Sequence, residues 1–145
     1  MRILSAMALV LLLSSFALAG VTSPLVDIPL IAGKNEASVA KILGKPKGSE
    51  KTKFGPKKIY KLSLGGKVEV VYIQGKADWI TVTPGVGTLV SFGPEAIRMV
   101  GLPSATPSFH NKATIRWSNV NGLLEISIFP AGKNVFYWYI KARTQ

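Results

Sequence analysis

The sequence predicts an α+β fold built as a tandem repeat. Each unit is a short helix followed by a three-stranded antiparallel meander, with both helices on one face of the sheet. Three observations carry this expectation. Ile42-Leu43-Gly44-Lys45-Pro46 and Met99-Val100-Gly101-Leu102-Pro103 close two helical patterns in the same way. A polar loop and a run of strand-like segments follow each of them. Lys67-Val68-Glu69-Val70 in the first half corresponds to Leu123-Leu124-Glu125-Ile126 in the second. The units span residues 30–84 and 88–142, within one domain of residues 20–145.

The elements follow in order. Val21 to Ile31 is a lead-in whose Pro24 and Pro29 exclude a central strand, although Leu25 to Ile31 suits a sheet edge. Asn35 is a helix N-cap, and Val39, Ile42 and Leu43 share one helical face. Gly44 ends that helix and Pro46 forbids its continuation. Ile59–Leu64, Val68–Ile73 and Trp79–Thr83 have the β-branched and aromatic content of strands, with hairpin turns at Gly65-Gly66 and Gly75-Lys76. Val82 to Leu89 is the hinge. Pro94 opens a second helix carrying Ala96, Met99 and Val100 on its apolar face, and Gly101 with Pro103 stops it. Thr114–Trp117, Leu123–Phe129 and Val135–Lys141 are the second set of strands, turning at Asn121-Gly122 and at Pro130 to Lys133. Two-turn helices are unstable alone in water, so both must lie on the strands.

Residues 1–19 have the grammar of a signal peptide: Met1-Arg2, an apolar run from Ile3 to Phe16, then Ala17-Leu18-Ala19. The run is shorter than the roughly 20 residues of a comfortable bilayer span, which leaves an uncleaved anchor as the weaker alternative. The chain has no cysteine. Thiolate metal sites, disulfides and a lipoprotein anchor are therefore excluded, and an exported domain must hold together by packing alone. Export to the periplasm or the medium is the expected localisation.

The formal net charge is +11. Lys45, Lys47, Lys51, Lys53, Lys57, Lys58 and Lys61 follow the first helix closely, and such a field attracts anionic surfaces: membrane, lipopolysaccharide or nucleic acid. A solvated basic loop explains the same run. Catalysis finds little support. His110 is the single histidine, with no acid between Glu95 and Glu125. Glu69 and Glu125 hold equivalent repeat positions and are expected on the face opposite the helices. No metal-ligand cluster, phosphate loop or cofactor motif is present. Phe136-Tyr137-Trp138-Tyr139 puts two aromatics on each face of one strand. Exposed on a sheet and rimmed by basic residues, such rings make a recognition surface; core packing and cross-strand pairing are the plainer use.

The apolar-apolar-Gly-x-Pro helix stops followed by meanders resemble the beta-lactamase-inhibitory-protein-like fold. That group includes two-repeat secreted inhibitors and the small SmpA/OmlA lipoprotein of the outer-membrane barrel-assembly machine. The resemblance spans residues 30–142 and implies an inhibitor or an envelope-assembly accessory. Unlike those relatives, this chain has neither disulfides nor a lipidated cysteine.

The reading that follows is a non-enzymatic exported module that binds a protein partner in the envelope or extracellular space without a cofactor. Trp117, Tyr137, Tyr139 and Tyr72 are its expected anchors, with Lys61 and Arg116 steering. The alternative is a basic binder of an anionic surface through Lys51, Lys53, Lys57 and Lys58 in the Lys45–Lys61 loop.

Overall fold

The computed structural model describes residues 23–144; the expected signal peptide, residues 1–19, lies outside them. The described residues form two short α-helices, α1 (Ile28–Ile31) and α2 (Glu36–Leu43), and eight strands. These are β1 (Gly48–Lys51), β2 (Pro56–Lys61), β3 (Lys67–Ile73), β4 (Lys76–Thr83), β5 (Phe109–His110), β6 (Ile115–Val120), β7 (Leu123–Ala131) and β8 (Asn134–Ala142). All eight join one antiparallel sheet in the order β1-β2-β3-β4-β8-β7-β6-β5. Pairing of β4 with β8, through Ile80↔Ile140 and Val82↔Trp138, sits at its centre.

This overturns the expected alternation of helix and three-stranded meander. The molecule is dominated by one continuous eight-stranded sheet. Pro94–Val100 is a 3-10 helix rather than an α-helix. Gly101, at φ 80°, stops the segment after seven residues, a length that short 3-10 turns suit. Two strands carry no sequence signal. Gly48-Ser49-Glu50-Lys51 is polar on both faces and survives as an edge strand, while Phe109-His110 is only a pair. The lead-in is not an edge strand either: Pro29 occupies the first turn of α1.

Local grammar holds elsewhere. The Asn35 side chain accepts from the Ser38 N–H at 2.8 Å and starts α2. Asn121 (φ 51°) and Gly122 (φ 80°) form the left-handed two-residue turn between β6 and β7. The Gly65-Gly66 turn is longer than expected. β2 ends at Lys61, and Leu64 takes a left-handed φ of 56°.

One core covers one face of the sheet. Val68, Val70 and Tyr72 of β3, Ile80 and Val82 of β4, Ile126 and Ile128 of β7, and Trp138 and Ile140 of β8 are buried in it. Ile28, Ile31, Val39, Ile97 and Val100 close it from above. Trp138 Nε1 donates to the Ala96 carbonyl at 2.9 Å, tying the 3-10 helix to the central strands. Among the described residues the core runs from Val26 to Ala142.

Candidate interaction surface

Side chains of a strand alternate between faces, so every buried position above fixes a neighbour on the opposite, uncovered face. Strand register then aligns those neighbours into rows. One row runs Ile59, Glu69, Thr81, Tyr139, Ser127, Arg116 and Phe109 from β2 to β5. Beside it run Lys57, Val71, Trp79, Lys141 and Glu125. Tyr137 of β8 pairs with Phe129 of β7, their rings stacked at 4.7 Å. Phe54, in the β1–β2 turn, folds onto Trp79 with ring centroids 4.4 Å apart. The Trp79 indole N–H is buried without an acceptor.

The middle of the open face is therefore aromatic: Trp79 and Phe54, then Tyr139, then Tyr137 and Phe129. Ion pairs flank it on both sides. Lys57 meets Glu50 at 2.6 Å and Glu69 at 3.5 Å, and Lys67 meets Glu69 at 3.1 Å. Beyond the aromatics, Arg116 lies 3.3 Å from Glu125 and donates to the Ser127 hydroxyl, which donates in turn to Glu125 at 2.6 Å. The hydrogen bond to Glu50 holds the Lys57 ammonium above the usual lysine range, opposed by partial burial and assisted by Glu69. Burial pushes the Tyr139 phenol up, and the charges of Glu125 and Asp78 push it further.

Half of the expected anchors belong elsewhere. Trp117 points into the core, where its indole N–H donates to the Ala105 carbonyl at 2.8 Å. Tyr72 is also buried, its hydroxyl 2.7 Å from that of Tyr60. Each shares the strand parity of buried neighbours, Ile115 for Trp117 and Val68 and Val70 for Tyr72. That parity is the signal by which they were assignable to the core. Tyr137 and Tyr139 do lie on the open face, half-buried, and Arg116 is exposed beside them. Lys61 is exposed too, but on β2 it stands three strand spacings, about 14 Å, from Tyr137. Trp79 and Phe129 are the aromatics that sequence reasoning missed; both alternate against buried isoleucines.

The lysine loop is not a loop. Residues 48–61 form a hairpin that sends successive lysines to opposite faces. Lys57 is held on the open face, and Lys58 pairs with Glu36 of α2 at 3.4 Å on the other. Lys51 ends β1, and Lys53 lies over the Phe54 ring in the turn. These four side chains form no single anion-binding patch.

Glu69 and Glu125 both lie on the open face, as expected. They sit on β3 and β7, three strand spacings apart, and each is engaged by its own cations. His110 is exposed at the β5 edge, over a shallow depression it shares with Phe92, Asn111, Lys112 and Gly132. Among the described residues, no three His, Asp or Glu side chains gather to hold a metal, and no helix is long and apolar enough to cross a membrane.

No protein-family model matches the chain, and no curated protein matches it in sequence. Solved structures do. The chain is similar to an extracellular protein containing a SCP domain from Bacillus anthracis str. Ames, at 10% identity and a TM-score of 0.53, covering 85% of this chain and 48% of that one. It is also similar to a cysteine-rich secretory protein from Staphylococcus aureus subsp. aureus Mu50, at 12% identity and a TM-score of 0.49, covering 83% and 48%. The chain thus spans about half the length of these structures. Likeness at such identity concerns fold alone.

Proposed function

We propose that this chain is an exported, non-enzymatic module that recognises a protein partner in the envelope or extracellular space through the open face of its sheet. One observation carries the reading. An eight-stranded sheet covered on one side presents Trp79, Tyr139, Tyr137 and Phe129 in its uncovered middle. Aromatic centres rimmed by charge supply most of the binding energy in protein interfaces, because rings bury large area at low entropic cost. Arg116 and Lys57, already held by carboxylates, form a polar rim of fixed geometry. The signal-like N-terminus supports export, as does the extracellular description of the structure it resembles. Among the described residues, His110 shares its depression with Phe92, Asn111, Lys112 and Gly132 and with no carboxylate, which favours binding over catalysis.

The test is capture of partners by residues 20–145 from the organism's own envelope and secreted fractions, at low and high salt, beside Tyr137→Ala/Tyr139→Ala. A salt-resistant partner retained at least about tenfold less by the folded variant is expected, since central aromatics contribute about 2 kcal/mol or more each. Equal retention by both proteins would remove the sheet face from consideration.

A further inference from the structure

Strand directions divide the molecule into two ends, and one end has an unusual surface. Five connections meet there: residues 44–47, 62–66, 84–93, 111–114 and 132–133. Among the described residues, the four most exposed large apolar side chains all belong to it: Val86 at 91%, Leu89 at 77%, Leu64 at 66% and Phe136 at 55%. They are held in place, not scattered. The Ser91↔Asn134 bridge and the Val135 N–H bond to the Val90 carbonyl at 2.8 Å set Leu89 opposite Phe136. The loops bearing Leu64 and Val86 touch backbone to backbone. A Cβ on Gly66 would lie 2.7 Å from the Gly85 nitrogen, and one on Gly85 would strike the Leu64 carbonyl. Leu64 itself keeps a left-handed φ of 56°, unfavourable for a leucine, with its side chain in solvent.

The connections at this end carry charge of one sign, with Asp27 beside Lys61 and Leu62 at their border. The five connections contain Lys45, Lys47, Lys112 and Lys133 and no acidic residue. Lys61 and Lys67 flank them at the ends of β2 and β3. All six are exposed, and among the described residues only Lys67 is ion-paired, to Glu69.

We infer that this end docks on an anionic phospholipid bilayer, with Leu64, Val86, Leu89 and Phe136 entering the interface and the six lysines meeting the headgroups. Apolar side chains projecting from loop tips suit a deformable apolar medium, whereas protein recognition needs a packed pocket. Lysine stems lie along the apolar layer while their ammonium groups reach phosphate. The strands then stand away from the bilayer, leaving the open sheet face accessible from the side. Phe136 borders the partner-binding face, its ring 5.4 Å from that of Tyr137, so Leu64, Val86 and Leu89 are the positions that report on the bilayer alone.

The absence of cysteine makes the test direct. Val86→Cys in residues 20–145, labelled with an environment-sensitive NBD fluorophore, is mixed with vesicles of phosphatidylcholine alone or with one quarter phosphatidylglycerol. Ala37→Cys, on α2, is the control position. Emission at 86 should rise several-fold on anionic vesicles only, with no rise at 37. Replacing Lys45, Lys47, Lys112 and Lys133 by Gln should weaken binding by about tenfold or more, since each lysine near an anionic surface is worth about fivefold. Leu64→Ser/Leu89→Ser should abolish co-flotation, and Tyr139→Ala, whose ring does not pack on Phe136, should leave it unchanged. A flat signal at 86, an equal rise at both positions, or unaltered flotation of the Leu64/Leu89 variant would each overturn the inference. Loss of a captured protein by that variant, with flotation intact, would assign the end to a protein instead.

Discussion

Tyr60 and Tyr72 share a hydrogen bond at 2.7 Å inside the core, and each hydroxyl depends on the other for a partner. Tyr60→Phe should therefore destabilise the fold by about 1–2 kcal/mol in urea titration, because it strands the Tyr72 hydroxyl. Tyr60→Phe/Tyr72→Phe should recover most of that loss, since no buried polar group then lacks a partner. Burial raises both phenols above the ordinary tyrosine value, and burial raises Tyr139 as well. Lys57 is raised by its bond to Glu50. For all four groups the folded chain keeps its proton after the unfolded chain has begun to lose it. Their stabilisation is full below about pH 10 and declines as pH rises through the folded values. Thermal melts between pH 7 and 9 should show no loss from these groups, with a falling Tm above pH 10. A Tm unchanged up to pH 11.5 would contradict the assignment.

At the scale of elements, the β4–β8 contact holds the sheet together, and its one charged contact is expensive to break. Asp78 is fully buried in a bulge of β4 and accepts from Lys141 of β8 and from the Thr144 hydroxyl. Lys141→Met leaves that carboxylate without its cation and should cost about 3 kcal/mol, read by chemical denaturation. Asp78→Leu/Lys141→Met should be markedly more stable than the single variant. The β1–β2 hairpin depends instead on backbone space. At Gly55, φ is 152° and a Cβ would strike the Tyr72 carbonyl, whereas at Gly75, φ is 75° and a Cβ meets open space. Gly55→Ala should cost about 2 kcal/mol or more and Gly75→Ala about 1 kcal/mol, the difference being the steric clash. Helix stops, the Asn35 cap and the Asn121-Gly122 turn were legible because each depends on residues close in sequence. β1 was not, because an edge strand needs no apolar face.

For the whole molecule, the arrangement leaves apolar side chains among charged ones on one face and one end of the sheet. The face carries stacked and edge-on rings; the end carries aliphatic tips among lysines. Solution size should report which of them self-associates. Tyr137→Ala/Tyr139→Ala should abolish any concentration-dependent dimer seen by analytical ultracentrifugation in the absence of lipid, since uncovered aromatic sheet faces are common sites of self-contact. Persistence of the dimer in that variant would place the contact elsewhere. Half of the candidate site was visible beforehand: Tyr137 and Tyr139 alternate against Trp138 and Ile140, so their face follows from parity. Trp117 and Tyr72 share the parity of buried neighbours, and that parity, not their aromatic character, sets their face. Phe54 gave no signal, since a turn residue reaches Trp79 only once two hairpins pack.

By itself the sequence determined the absence of disulfides, the basic charge, the signal-like start, most strands and the local stops and turns. These depend on composition, on period-two alternation and on backbone conformations set within a few residues. Tertiary structure decided that eight strands share one sheet, that the lysine run splits between two faces, and that five separate connections converge on one apolar, basic end. Those facts depend on register between distant strands, above all β4 with β8. Register is set by the packing of one common core, and no single segment encodes it.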